Sequence, residues 1–370
     1  MVKVLVVDDS AFMRNVLSKM LESDPGVKVI GTAADGFEAV EKAAALGPDV
    51  ITMDVEMPGM DGIEALKRIM AENPAPVIML SSQTSEGARV TLHALELGAV
   101  DFVSKNLSGS SLDIMKIKGL LIEKVKHLGL KKMFRSRQAR QPRTETCVLD
   151  KVCGDRVNID IVAIGTSTGG PKSLQEIIPS LPGNLPVPVL VSQHMPANFT
   201  KPFAERLDQL SALEVKEAEA GETARSGVVY IAPGGGHMSV SGGMPRPSIA
   251  ISHGGDFIYR PSVDVLMSSV SVHFPRRSLG VILTGMGNDG LKGLKNLKRA
   301  GGKIIAQDER TCVIYGMPKV VVEAGLADNV LPLGEIPQAI VKYVCGNPAA
   351  HGFSCQQGTD QGRVDGYHGR

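Results

Sequence analysis

The chain has 370 residues, 43% of them apolar, and a formal charge of +1, so it is long enough for two domains that each bury a core. This balance excludes a disordered chain and argues against a polyanion binder, and no apolar run approaches the roughly 18 residues of a membrane span. Met1-Val2-Lys3 leads straight into Val4–Val7, too short for a signal peptide, so a cytoplasmic protein with no membrane insertion is expected.

From residue 2 to 128, short β-branched runs alternate with helical periodicity. Lys3–Val7, Val27–Ala33, Val50–Met53, Val77–Leu80 and Val100–Val103 read as strands, while Phe12, Val16, Leu17 and Met20, then Ile63, Leu66, Ile69 and Met70, recur at helical spacing. Five such units predict a parallel sheet with helices on both faces, because each crossover must return its helix to the sheet. Ligands in open sheets of this kind sit beyond the carboxyl ends of the strands. Asp8 and Asp9 end the first strand and Asp54 the third, so three carboxylates converge on one rim. Their mutual repulsion calls for a cation, and a hard divalent ion that takes oxygen ligands, Mg²⁺, fits the need. Ser81, with Ser82, ends the fourth strand and Lys105 follows the fifth, offering a hydroxyl and an ammonium to phosphoryl oxygens. Any one of these acids alone reads equally as a turn residue or helix cap; four strand ends together do not.

Val-Asp-Asp-Ser at 7–10, Met-Asp-Val-Glu-Met-Pro-Gly-Met-Asp-Gly at 53–62 and Asp-Phe-Val-Ser-Lys at 101–105 resemble the receiver domain of two-component response regulators. The resemblance covers residues 1–128 and implies a flavodoxin-like fold of five parallel strands. It also implies that Asp54 is the phosphoacceptor, Asp8 and Asp9 the Mg²⁺ acids, Ser81 the switch hydroxyl, Phe102 the switch aromatic and Lys105 the phosphate-sensing cation. Receivers usually place proline after that lysine, where this chain has Asn106.

Basic side chains then accumulate: Lys124, Lys126, Lys131, Lys132, Arg135, Arg137, Arg140 and Arg143. A stretch rich in charge and poor in apolar residues cannot bury a core, so residues 129–157 read as a flexible tether. Without aromatic interleaving or a helix-turn-helix pattern, no nucleic-acid partner is expected.

A second alternating region spans 158–347, with strands expected at Ile159–Ile164, Val187–Val191, Val228–Ile231, Leu279–Leu283 and Lys303–Ala306. Gly-Pro-rich turns at 233–236 and 242–247 suggest a β-hairpin insertion in a doubly wound, mostly parallel α/β sheet. Residues 348–370, with scattered Gly, Gln and His, read as a disordered tail. The five cysteines have neither paired spacing nor an even count, so free thiols are expected.

The first of these strands runs into Gly165-Thr166-Ser167-Thr168-Gly169-Gly170, with Pro171 placed as an initial helical residue. A serine on such a turn is open to substrate, and N–H groups at the helix start can hold an oxyanion; a plain structural turn has the same composition. The glycine spacing is neither a dinucleotide fingerprint nor a Walker loop. His194 follows the second strand and Asp289 lies just after Leu279–Leu283, so hydroxyl, imidazole and carboxylate share one rim. His237, His253 and His273 are rival bases at this level. The chain order Ser167, His194, Asp289 differs from that of α/β-hydrolases.

Gly-Thr-Ser-Thr-Gly-Gly-Pro at 165–171, Ser-Gln-His-Met-Pro at 192–196, Ala-Pro-Gly-Gly-Gly-His-Met at 232–238, Tyr-Arg-Pro-Ser-Val-Asp-Val-Leu at 259–266, Leu-Thr-Gly-Met-Gly-Asn-Asp-Gly at 283–290 and Tyr-Gly-Met-Pro at 315–318 resemble the chemotaxis protein-glutamate methylesterases. The resemblance implies demethylation of glutamyl methyl esters on chemoreceptors, with glutamine deamidation as a related activity, under control of a sensor histidine kinase. It further implies Ser167 as nucleophile, His194 as general base and acid, Asp289 as the carboxylate fixing the imidazole, the Met286 N–H as oxyanion donor, and no cofactor at the esterase site.

Overall fold

The computed structural model of the protein describes residues 1–81, 84–105, 111–138, 158–243, 246–254, 257 and 259–346. The N-terminal domain alternates β1 (Val2–Val7), α1 (Ala11–Glu22), β2 (Val27–Ala33), α2 (Gly36–Leu46), β3 (Val50–Asp54), α3 (Gly62–Glu72), β4 (Val77–Ser81), α4 (Ser85–Glu96), β5 (Asp101–Ser104) and α5 (Ser111–Gln138). All neighbouring strands pair in parallel, in the order β2-β1-β3-β4-β5. β3 and β4 are buried along their whole length, which is why they read as continuous apolar runs rather than alternating ones. The helices begin where side chains cap free N–H groups: Ser10 accepts from Met13, Asp35 from Glu38, Asp61 from Glu64 and Thr84 from Gly87.

The C-terminal domain contains β6 (Ile161–Thr166), α6 (Gly170–Ile177), β7 (Val189–Gln193), α7 (Ala197–Leu210), β8 (Glu214–Glu217), β9 (Val228–Ile231), β10 (His237–Ser241), β11 (Ser248–Ser252) and α8 (Val263–His273). It continues through β12 (Ser278–Ile282), α9 (Leu291–Arg299), β13 (Lys303–Gln307), α10 (Met317–Glu323), β14 (Asn329–Leu331) and α11 (Ile336–Cys345). Seven strands form one parallel sheet, β14-β13-β12-β6-β7-β9-β8, and β10 and β11 form a separate antiparallel hairpin, the insertion expected from the flanking turns. The chain leaves β6 toward β7 on one side and later returns to β12 on the other. That reversal opens a crevice above the carboxyl end of β6, the place where doubly wound sheets bind ligands.

The two domains pack against each other. One buried apolar cluster runs from Leu92, Leu95 and Phe102 into Leu174, Phe199 and Phe203, and a second joins Leu121 and Val125 of α5 to Met286 and Ile314. Helix α4 lies on α7, where Arg206 Nε stands 2.5 Å from Glu96 and Arg89 Nη2 3.4 Å from Glu205.

The structure departs from the sequence reading at three places. Residues 129–138 are helical rather than part of a tether, because after Gly129 the run Leu-Lys-Lys-Met-Phe-Arg-Ser-Arg-Gln contains no helix breaker and lets α5 propagate. Within α5, Lys124 is buried and paired with Asp101, and Lys126 lies 2.9 Å from Asp24, so these two belong to the domain rather than to a basic linker. The short strands β8 and β14 escaped the reading because they are edge strands without a full apolar face. Most of the expected tether (139–157), the tail (348–370), Ser82 and Asn106 lie outside the described residues. Among the described residues, Cys312 and Cys345 are free thiols, and no helix is long and apolar enough to cross a membrane.

Candidate active site and the acidic rim

Strands β1 and β3 are adjacent, with Val7 opposite Met53, so the residues that follow them, Asp8 and Asp9, stand beside Asp54. The three carboxylates offer oxygens within 4.8 Å of one another. Lys105 Nζ reaches into the same cluster, 2.8 Å from Asp8 Oδ2 and ion-paired with Asp54. Burial pushes the Asp54 carboxyl above its usual range; Lys105 opposes that shift and the neighbouring Asp8 charge adds to it. Three converging acids against one ammonium leave an excess of negative charge, a donor set that fits a hard divalent cation.

Ser81 ends β4 and is fully buried, but its hydroxyl faces α4: Thr91 Oγ1 lies 2.6 Å away, and the Gly87 carbonyl accepts from Ser81 at 3.3 Å. Phe102 lies under the other domain, stacked on Phe199 of α7 with ring centroids 4.4 Å apart.

On the seven-stranded sheet, β6 is flanked by β7 and β12, which brings Ser167, His194 and Asp289 together. Ser167 Oγ is 3.1 Å from His194 Nδ1, and His194 Nε2 is 2.7 Å from Asp289 Oδ2. The imidazole presents its nitrogens in the opposite order to chymotrypsin-type proteases, with Nδ1 toward the hydroxyl. The tautomer this geometry supports carries its proton on Nε2, donated to Asp289, leaving the Nδ1 lone pair to accept from Ser167. The His194 and Asp289 side chains are only 8% and 9% exposed, so the chain of contacts is shielded from bulk water.

Asp289 sits at the start of α8, where free N–H groups point outward. Its Oδ2 accepts from Val263 N at 2.7 Å, and its Oδ1 accepts from Asp264 N and Ser262 Oγ, each at 3.0 Å. Burial disfavours the ionised carboxyl, yet the His194 hydrogen bond and charge together with the two backbone donors outweigh it and hold Asp289 below the usual carboxylate range.

The loop after β12 lies against the serine. Gly285 approaches so closely that a side chain there would press on Ser167 Cβ. The Gly285 carbonyl accepts from Gly316 N at 3.1 Å and Met317 N at 2.9 Å, so in a trans peptide the Met286 N–H points the other way. Among the described residues that N–H has no acceptor of its own.

Of the rival histidines, His237 is buried with its Nδ1 accepting from Ser262 N at 3.2 Å, and His253 lies 3.4 Å from the Gly235 carbonyl. His273 closes α8 at its far end. None of the three contacts Ser167. Sequence reasoning assigned no role to Tyr259 or Ser262, although both stood inside a quoted stretch. Tyr259 stacks on the His194 ring, centroids 4.2 Å apart and 10° from parallel, and Ser262 is the N-cap whose hydroxyl reaches Asp289. A serine followed by an apolar helical run is an N-cap signal; the stacking has no local signature.

Fold and site together define a response-regulator receiver joined to a serine-type α/β hydrolase. The receiver domain model matches residues 4–115 and the CheB methylesterase model residues 162–340. Protein-glutamate methylesterase/protein-glutamine glutaminase 1 of Oleidesulfovibrio alaskensis is 48% identical, over 93% of this chain and 100% of its own length. Protein-glutamate methylesterase/protein-glutamine glutaminase 2 of Nitratidesulfovibrio vulgaris is 47% identical, over 92% and 99%. The crystal structure of the Thermotoga maritima CheB methylesterase catalytic domain aligns with a TM-score of 0.48 at 46% identity, over 50% of this chain and 99% of that one. The chain belongs to the protein-glutamate methylesterase/protein-glutamine glutaminase family.

Proposed function

We propose that the protein hydrolyses glutamyl methyl esters on methyl-accepting chemoreceptors and deamidates receptor glutamines, in the cytoplasm, at a rate set by phosphorylation of its own receiver domain. The observation that carries the reading is the continuous hydrogen-bonded path from the Ser167 hydroxyl through His194 to a fully solvated-by-protein Asp289 carboxylate. In this reading His194 Nδ1 takes the Ser167 proton as Oγ attacks the glutamyl carbonyl carbon. The Met286 N–H stabilises the oxyanion, and the same proton then leaves on methanol, or on ammonia from glutamine. Water, deprotonated by His194, attacks the acyl-enzyme, and proton return to Ser167 releases the glutamate. Asp289 holds the tautomer and stabilises the imidazolium. No metal or organic cofactor takes part in this sequence.

Asp54 accepts the phosphoryl group from a chemotaxis sensor histidine kinase in the same reading. Asp8, Asp9 and Asp54 would hold Mg²⁺, which supplies charge neutralisation for phosphoryl transfer. The unmodified receiver covers the Ser167 rim, since α5 shares an apolar cluster with Met286 and Phe102 stacks on the helix that follows His194. Modification of Asp54 draws Ser81 and Lys105 to the phosphoryl group and weakens that cover. Methanol and ammonia release from methylated receptor membranes tests the proposal directly. Ser167→Ala should lose both products, and undiminished release by that variant would overturn it.

A further inference from the structure

Gln193 is the last residue of β7, one position before His194, and the residue is 2% exposed. The Gln193 Nε2 donates to two backbone carbonyls, that of Ser167 at 3.0 Å and that of His194 at 2.9 Å. Because both partners are acceptors, the amino end of the carboxamide must face them and Oε1 must face away. On that side lies Gly170, where a Cβ would collide with Oε1 and with Thr166 Oγ1. The second glycine of the Gly169-Gly170 pair therefore leaves room for this carboxamide.

The need for such a bridge follows from the sheet. β6 and β7 are in register up to Thr166 opposite Gln193, and a last bond runs from His194 N to the Thr166 carbonyl at 3.2 Å. Beyond it, Ser167 and His194 leave the sheet on separate turns. The serine turn is tied on its other flank to the loop after β12, by Ser167 N to the Thr284 carbonyl at 3.1 Å and by Thr284 Oγ1 to the Thr168 carbonyl at 3.0 Å. Those bonds fix it against the Met286 loop and leave its distance to the imidazole to the Gln193 side.

We propose that Gln193 is a positioning residue for ester hydrolysis: its carboxamide sets the separation of the Ser167 hydroxyl and the His194 imidazole by holding both main chains at once. The inference rests on the serine-hydrolase reading above. It does not place Gln193 in contact with substrate, so its loss lowers kcat and leaves KM unchanged.

The test uses the full chain, methylated receptor membranes, and a fluorophosphonate that phosphonylates the serine with loss of fluoride, with thermal unfolding recorded for each variant. Gln193→Met keeps length and volume but has no donor. It should lower kcat and the phosphonylation rate together by about 10- to 100-fold at unchanged KM. Gln193→Glu sets a carboxylate against two carbonyls, and burial raises its pKa. Its kcat, expressed as a ratio to wild type, should rise as pH falls and the protonated acid regains one O–H donor. Wild-type kcat and phosphonylation in Gln193→Met would overturn the proposal, as would a Gln193→Glu ratio flat with pH. If Gln193→Met loses its unfolding transition, the pH ratio of Gln193→Glu decides alone. Retained hydrolysis in Ser167→Ala would instead sink the hydrolase reading, whatever Gln193 does.

Discussion

The two rims of this molecule solve the same geometric problem with opposite electrostatics. Both gather side chains at the carboxyl ends of parallel strands, Asp8, Asp9, Asp54 and Lys105 on one sheet, Ser167, His194 and Asp289 on the other. On the acidic rim the charge is left under-compensated: one lysine faces three carboxylates, and burial holds Asp54 above its usual range. On the serine rim the charge is fully answered, with Asp289 receiving four donors and sitting below its usual range. An under-compensated site changes state when a cation or phosphoryl group arrives. A fully compensated one stays put and waits for substrate. Switch and catalyst thus differ in how completely the protein satisfies its own carboxylates.

The sharpest way to break that contrast is to strip Asp289 of its charge. Asp289→Asn should cut kcat by about 10⁴-fold, because the amide no longer fixes the Nε2–H tautomer or stabilises the imidazolium. Activity within a few-fold of wild type would show the carboxylate to be merely structural. The pH dependence has a definite sign. A carboxyl held low in the fold contributes stability that is present above its unfolded pKa and is lost as pH falls through its folded pKa. The gap in urea midpoint between wild type and Asp289→Asn should therefore close in the acid range below the ordinary aspartate pKa.

On the switching rim the expected effect is smaller. Asp54→Asn should abolish stimulation by a phosphodonor, a loss of about 5- to 150-fold for a coupling of roughly 1–3 kcal/mol. Chelation of divalent cations should have the same effect on the wild type while sparing hydrolysis in its absence. Stimulation that persists in Asp54→Asn would move the phosphoacceptor elsewhere.

How much of this was legible in the chain depended on whether a residue's partner was local. The strands came through because parallel β-structure writes itself as runs such as Val77–Leu80, and the rims came through because each ends in a chemically distinctive residue. Asp289 could be picked out by its place after β12, but not its four donors, three of which come from residues 262–264, more than twenty positions upstream. The Tyr259 stack on His194 and the Gln193 bridge were equally hidden, since each joins segments that meet only in the folded sheet. The extent of α5 was missed for a different reason: charge density suggested a tether, while helix propensity and the absence of a breaker carried the helix on to Gln138.

One contact that joins the two rims packs α4 and the end of β5 on α7, and its two components can be separated. The apolar part, Phe102 stacked on Phe199, is buried, whereas Arg206–Glu96 and Arg89–Glu205 are partly or largely open to solvent. Exposed ion pairs contribute about 0–1 kcal/mol and weaken with salt. Glu96→Gln should thus raise the activity of the unphosphorylated enzyme by at most about 5-fold, and added salt should erase the difference between variant and wild type. A larger rise, matched in the wild type by added salt, would mean that charge rather than apolar packing holds the receiver over the serine. The signal would then travel along α4 to its surface charges instead of through the aromatic pair.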